Sequence, residues 1–518
     1  MQKLITYLLA LLAMVSLQAV AGERPNFVFI ISDDQSWPHT SAYGDEVVKT
    51  PAFDRVAEEG VLFTHSYTAT PSCTGSRSAV LSGQDIWRLR EAGILHGSIP
   101  PDIPLMPLLL EDAGYFVGWT GKGWNPGSWD YLGLERYPIG QEFNDINDKM
   151  KIADGISGVD YSANFDAFLE ARPNGQPFFF WLGTREPHRK YQQDVGKDEA
   201  GLKTDKVRVP AYWPDTELVR SDILDYYYEI MWLDTHIESV LASLENAGEL
   251  DNTVIVVTSD NGMPFPRGKT TLYEAGTRMP LAIRWGKGVK QPGRVVDDFV
   301  LHTDFAPTFL EAAGVNVPEE MTGRSLLPVL QKDVSGISEG SREYAVTAIE
   351  RHTYTRPDGA TYPVRAIRTR EYLYLRNYYP DRWPTGGEFV GTNKFTHGDI
   401  DTGPTKLFMM EPENMEKYER EYQLSFGKRP AEELYRIADD PDQVNNLADD
   451  PEFKVVRERL AAMLDNHLTV TGDPRMRGEE PWQDYIYHQY SGFGRSFNEI
   501  LPPDERRRAR LRPGTPIK

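Results

Sequence analysis

One cysteine, Cys73, stands among 518 residues. A chain with a single thiol closes no internal disulfide, so its stability must come from a buried core. Past residue 21 no apolar run approaches the roughly 20 residues needed to cross a bilayer. Positive charge is also in deficit: 56 Lys and Arg against 77 Asp and Glu give a formal charge of −21. That balance argues against a nucleic-acid binder, which would present a basic surface. An anionic ligand is repelled at long range, so basic residues gathered at a site act locally, within a Debye length of about 8 Å. Internal repeats and low-complexity linkers are absent as well.

What is present begins with residues 1–21. They open with Lys3, run mostly apolar from Leu4 to Val15 and close on Ala19-Val20-Ala21. This is the pattern of a signal peptide with a small-residue cleavage site. The expectation is an exported protein, periplasmic or secreted, without a membrane span.

Asn26 to Ser32, Pro177 to Gly183 and Thr253 to Ser259 are nearly continuous apolar runs, as in strands buried on both faces of a parallel sheet. Val61 to Tyr67, Tyr115 to Thr120 and Leu281 to Trp285 read as further strands. Helices are expected from Pro51 to Gly60, from Leu105 to Ala113 and from Asp222 to Ala247. The last has a stripe of Ile223, Tyr227, Ile230, Ile237, Leu241 and Leu244, and Gly248 caps it. Asp234 falls on that stripe and reads as a buried structural acid with a polar partner. After Pro328 the texture changes to short antiparallel strands at Ala345 to Glu350, Arg365 to Thr369 and Tyr372 to Asn377, then a helix from Pro451 to Leu468. The expected organisation is α/β: a large domain over 22–340 with a mixed, mostly parallel sheet flanked by helices. A smaller α+β subdomain with an antiparallel sheet covers 341–500, and a basic tail covers 501–518.

Four strand-like runs end in polar residues: Asp33-Asp34, Lys122, His188 and Asp260-Asn261. In open α/β sheets ligands bind beyond the carboxyl ends of the strands, so these residues can converge. Adjacent carboxylates past a buried strand repel each other unless a cation holds them. Asp33, Asp34, Asp260 and Asn261 offer only oxygen ligands, with no His or Cys cluster, which favours Ca²⁺ or Mg²⁺ over zinc.

Cys73 lies in Pro71-Ser72-Cys73-Thr74-Gly75-Ser76-Arg77-Ser78-Ala79-Val80-Leu81-Ser82-Gly83. A lone cysteine is ordinarily a small buried filler. Here its neighbours are loop and helix-start residues, and a helix N-terminus beside a guanidinium is a place of positive potential. The stretch resembles the signature of the type I sulfatases, Cys-x-Pro-Ser-Arg followed by Leu-Thr-Gly, with Gly75 where that family has Pro or Ala. Asp33-Asp34, Gly121-Lys122, Pro187-His188, Asp260-Asn261 and the loop carrying Lys269 match the same family. So does the C-terminal Glu433-Leu434-Tyr435 with Asp440-Pro441 and Asn446-Leu447-Ala448. One departure is Trp124, where the family's Gly-Lys-x-His has histidine.

The resemblance implies an alkaline-phosphatase-like sandwich and an exported sulfatase. It implies that Cys73 is oxidised to formylglycine by a formylglycine-generating or anaerobic sulfatase-maturating enzyme. One Ca²⁺, rather than Mg²⁺, would be held by Asp33, Asp34, Asp260, Asn261 and the modified Cys73. Arg77, Lys122, His188 and Lys269 would surround the sulfuryl group, with His188 protonating the leaving oxygen. The runs Ser259 to Pro266 and Tyr362 to Arg365 resemble N-sulfoglucosamine sulfohydrolases, which points to a sulfated saccharide. Arg351, His352, Arg365 and the stretch Tyr372 to Tyr379 are candidates for a sugar subsite.

Of the substrates, an O-sulfated polysaccharide is preferred to an N-sulfated glucosamine, since similarity of branch tracks scaffold better than linkage. Two other readings stand beside it. A phosphatase or phosphodiesterase of the same superfamily would use Ser or Thr and a second, histidine-bearing ligand set. A silent glycan-binding relative would keep Cys73 unmodified.

Overall fold

The computed structural model describes residues 24–130, 132–147, 153–356, 359–387 and 396–485. The expected signal peptide and basic tail lie outside them. All seven residues of β1 (Asn26–Ser32) are buried, and this strand forms the middle of a nine-stranded sheet. The others are β2 (Val61–Tyr67), β3 (Phe116–Gly121), β4 (Gln141–Glu142), β5 (Phe178–Gly183), β6 (Thr253–Ser259), β7 (Arg278–Met279), β8 (Leu281–Arg284) and β9 (Arg294–Leu301). Their order is β4-β3-β5-β1-β6-β8-β2-β7, with β9 beside β2. The run β3, β5, β1, β6 is wholly parallel; β8 is antiparallel to β6 and β2.

Side chains alternate across β1, so both faces need cover. Phe27, Phe29 and Ile31 pack with Trp181, Phe305 and Phe309. Val28 and Ile30 pack with Phe165, Phe180, Ile237 and Val240. Each fully buried aliphatic or aromatic side chain contributes about 1.5–3 kcal/mol, enough in sum to replace crosslinks. One face is covered by α2 (Cys73–Ser82), α3 (Met106–Asp112) and α6 (Phe305–Ala312); α1 (Pro51–Glu58), α4 (Tyr161–Ala171) and α5 (Glu217–Asn246) cover the other.

Helix α5 begins five residues before the expected start, because Thr216 caps it by accepting from Val219 N at 3.3 Å. Asp234 accepts from the N–H groups of Ala52 and Phe53 at 2.9 and 2.8 Å, so this acid caps α1.

The strand ends are level. Ile31 lies opposite Gly183, Gly183 opposite Gly121, and Ser32 opposite Ser259. Lys122 N donates to Gly183 O at 2.6 Å. A Cβ at 183 would lie 1.9 Å from the Lys122 carbonyl oxygen, so only glycine lets β3 and β5 close here.

The second sheet is antiparallel, in the order β10 (Tyr344–Ile349), β11 (Val364–Thr369), β12 (Tyr372–Asn377), β13 (Glu432–Arg436). It packs against α7 (Lys454–Thr471) through Leu460, Leu464 and Leu468. Leu272 and Tyr273, just past Lys269, pack on its other residues, including Ile349, Val364 and Leu375. The second sheet thereby anchors the Lys269 loop to the first.

Candidate active site

Ser72 is extended and Cys73 is the first residue of α2, all ten residues of which are buried. The Ser72 hydroxyl makes no cap within the helix; it pairs with His352 Nδ1 at 2.9 Å. The Cys73 Sγ lies 3.6 Å from Asp33 Oδ1. Burial pushes the thiol up to about 12, with Lys122 and Lys269 pulling the other way. Unaltered, this sulfur is a protonated and weak nucleophile at neutral pH.

Behind the thiol the carboxylates of β1 and β6 meet. Asp34 sits in the left-handed region at φ 75°, a conformation tolerated by Asp better than by most side chains. Asp260 Oδ1 accepts from Asp34 N at 3.1 Å and Asn261 N at 2.7 Å. Asn261 Nδ2 donates to Asp34 Oδ1 at 2.6 Å, and Asn261 Oδ1 is buried without a hydrogen-bond partner. An orphaned amide oxygen among three carboxylates is a set of hard donors, which fits a Ca²⁺ or Mg²⁺ ion held by Asp33, Asp34, Asp260 and Asn261. Oxygens of Asp33 and Asp34 and the Cys73 sulfur also lie within 4.8 Å of one another. Burial opposes charge on Asp33, yet Lys122, His188 and Arg77 outweigh it and hold the carboxyl well below its usual range. In Asp34 burial wins over Lys269 and His188, and its carboxyl is raised to about 6.

Cys73 and Asp33 open on a cavity of about 610 Å³ whose wall carries Lys122, His188, Lys269 and Asp401. Lys122 Nζ donates to both Asp33 oxygens at 2.6 Å. Lys269 Nζ lies 2.8 Å from Asp34 Oδ2 and 3.4 Å from Asp401 Oδ2. The Arg189 carbonyl accepts from His188 Nδ1 at 2.7 Å, which leaves Nε2, 3.7 Å from Asp34 Oδ2, as the working nitrogen. Arg185 and Lys190 add positive charge to the same wall. Two lysines and an imidazole around one buried atom can hold a tetrahedral oxyanion and stabilise charge developing on it.

Arg77 does not reach this cavity. Its side chain is fully buried; Nε donates to Asp260 Oδ2 at 2.8 Å and Nη1 to the carbonyls of Lys122 and Gly123. It is a positioning residue that braces two strand ends.

Arg365 lines no sugar subsite, contrary to expectation. It is fully buried between Glu350 and Asp473, at 2.6 Å from each. Arg351 is buried too and donates to Tyr485 O at 2.7 Å, and Tyr372 and Tyr374 belong to the core. Only His352 of that group reaches the cavity.

Trp124, in the place of the family's histidine, is 1% exposed and donates from Nε1 to Ser78 Oγ at 2.7 Å, away from the cavity wall. Gly75 has a packing reason. A Cβ there would lie 2.7 Å from Thr70 Cγ2 and 2.8 Å from the Gly93 carbonyl oxygen. Asp401 and His96, both on the cavity wall, carry no strand-end signal that a reading of the sequence could have used.

A family model described as Sulfatase matches residues 25–315, which include every one of these strand ends. The chain belongs to the sulfatase family. A second model, the C-terminal region of N-sulphoglucosamine sulphohydrolase, matches residues 267–384. An ulvan-active sulfatase of Formosa agariphila is 28% identical over 89% of this chain and 83% of its own length. The human N-sulphoglucosamine sulphohydrolase is 27% identical over 89% of this chain and 93% of its own. Among solved structures, a protein bound to its substrate D-glucosamine-2-N,6-O-disulfate superposes with a TM-score of 0.62 at 21% identity, over 88% of this sulfatase and all of the other chain. That last likeness is one of fold.

Proposed function

We propose that this chain is an exported sulfatase that hydrolyses sulfate esters on a sulfated polysaccharide. Its nucleophile would be a formylglycine made from Cys73, with a Ca²⁺ held by Asp33, Asp34, Asp260 and Asn261. The observation that carries this reading is the convergence of Lys122, His188 and Lys269 on the buried Cys73 in one cavity. The aldehyde hydrate would supply the attacking oxygen that a thiol with a raised pKa cannot, and the cation would acidify that oxygen and draw charge from the sulfate.

The chain's own residues do the rest. Lys122 and Lys269, now paired with Asp33 and Asp34, would turn to the sulfate oxygens once a cation shares those carboxylates. His188 presents Nε2 to the leaving oxygen and, as the imidazolium with its Nδ1–H held by the Arg189 carbonyl, would deliver the Nε2 proton. Arg77 holds Asp260 and the Lys122 carbonyl in place. Asp401 lies beside Lys269 on the cavity wall, where its carboxylate would accept hydrogen bonds from sugar hydroxyls.

The ulvan-active relative favours an O-sulfated polysaccharide. The match over residues 267–384 favours an N-sulfated glucosamine as the second reading. The test is expression with a formylglycine-generating enzyme, mass spectrometry of the Cys73 peptide, and sulfate release from ulvan and from N-sulfoglucosamine. Conversion lowers the peptide mass by about 18 Da. Sulfate release that disappears in a folded Cys73→Ala variant supports the reading; turnover retained in that variant overturns it.

A further inference from the structure

A second cavity, of about 370 Å³, adjoins the first and is lined by Trp119, Asn125, Trp129, Tyr137, Gly140 and Glu142. Asn125 belongs to the walls of both cavities, three residues beyond Lys122. The Trp119 and Tyr137 rings stack at 4.9 Å between centroids, and Trp129 meets Tyr137 edge-on at 5.7 Å. Tyr137 fixes this corner, because its hydroxyl accepts from Trp124 N at 3.0 Å and donates to Asn125 Oδ1 at 3.3 Å. Trp129 and Tyr137 are only partly buried, so aromatic surface remains open to a ligand.

The two cavities differ in charge. The first is rich in Lys and Arg, whereas Glu142, exposed and anionic, is the one charged residue among the described residues that line the second. Aromatic faces beside a few polar groups suit a sugar ring, which offers an apolar face and a rim of hydroxyls. A carboxylate at the same place disfavours a sugar that bears sulfate or uronate.

We propose that the second cavity is a subsite for an uncharged sugar next to the sulfated one, so that the enzyme grips a saccharide chain across Asn125. The proposal rests on the sulfatase reading for the identity of the neighbouring sugar. The site itself is testable without turnover. Binding of neutral tetrasaccharides (cello-, N-acetylchito- and agaro-oligosaccharides) to the unconverted protein is measured by tryptophan fluorescence and ligand-observed NMR, with a tetragalacturonate as the acidic probe.

Saturable binding of at least one neutral probe, weakened tenfold or more by Trp129→Ala, is expected. Glu142→Lys, a change at an exposed position, should bring the acidic probe to an affinity at or above that of the neutral one. Absence of binding by every neutral probe overturns the subsite, as does equal binding by wild type and a folded Trp129→Ala variant. Wild-type binding of tetragalacturonate as tight as that of the neutral probe overturns the assignment of charge. If neutral probes bind but converted enzyme releases sulfate from no glycan, the sulfatase reading fails and the subsite stands.

Discussion

Arg189 and Asp222 face each other as a bidentate pair, with both contacts at 2.8 Å and side chains 5% and 1% exposed. Arg189 Nε also donates to Pro264 O, and Asp222 Oδ2 accepts from the N–H and hydroxyl of Thr405. One ion pair therefore ties together the segment of His188, helix α5, the approach to Lys269 and the segment that carries Asp401. None of these four lies near another in the chain.

Removing one partner of such a pair leaves a buried charge alone, which costs about 3–5 kcal/mol. Asp222→Ala is expected to lower the free energy of unfolding, read from the urea midpoint and slope, by that amount. Displacement of His188 by about 1 Å would also lower kcat on the order of 10²-fold. An unchanged midpoint together with unchanged kcat would show that the four segments are held by other contacts.

The oxygen donors at the ends of β1 and β6 predict a response to cations. After treatment with a chelator, Ca²⁺ at about 100 times its Kd should stabilise the fold by about 2.7 kcal/mol, since it binds the folded state alone. Asn261→Ala deletes the orphaned oxygen and the Nδ2 contact to Asp34, and should weaken that response. Calorimetry with and without Ca²⁺ decides; equal melting temperatures in wild type would remove Ca²⁺ from the site.

The strands that carry the site were legible because burial on both faces leaves an apolar run with an abrupt polar end. Asp33-Asp34, Lys122 and Asp260 stand at the ends of such runs, and the level register of β3, β5, β1 and β6 brings them together. Strand β9 was not legible. Asp297-Asp298 interrupt its apolar pattern, and the cause lies elsewhere in the chain: Asp298 accepts from the N–H groups of Ser338 and Glu339. Arg365 failed for a related reason. A charged residue beside tyrosines looks like a sugar-binding surface until Glu350 and Asp473, 15 residues before it and 108 after it, are placed against it. Asp401 depends on the same kind of long-range packing.

Gly75 makes a prediction that separates chemistry from fold. The family's residue at this position is Pro or Ala, so Gly75→Ala looks like a restoration. The new Cβ meets the Gly93 carbonyl at 2.8 Å, and that contact is backbone. Overpacking of this kind costs roughly 1–3 kcal/mol. The folded variant should therefore unfold at lower urea, whatever its effect on conversion of Cys73. Stability equal to wild type would mean that the segment 90–93 yields.

Buried histidines give the chain an acid-sensitive component, and His397 isolates it. Its Nδ1 pairs with Thr385 Oγ1 at 2.9 Å, the ring is fully buried, and it lies outside the cavity wall. Burial, reinforced by Lys406, lowers its pKa from 6.5 to about 4. Between those values the unfolded chain takes up a proton that the folded chain refuses, so stability falls as pH falls from about 6.5 towards 4. Asp234 acts with the opposite sign: burial raises it to about 7, and it favours the folded state as pH falls through 7. Total stability against pH mixes the two, whereas the difference between wild type and His397→Gln does not. Glutamine keeps a hydrogen-bonding side chain but cannot titrate, so its deficit relative to wild type should shrink by about 3 kcal/mol between pH 7 and pH 4. Urea titrations of both proteins across that range measure the gap. A gap that stays constant would mean that His397 is protonated equally in the folded and unfolded chains.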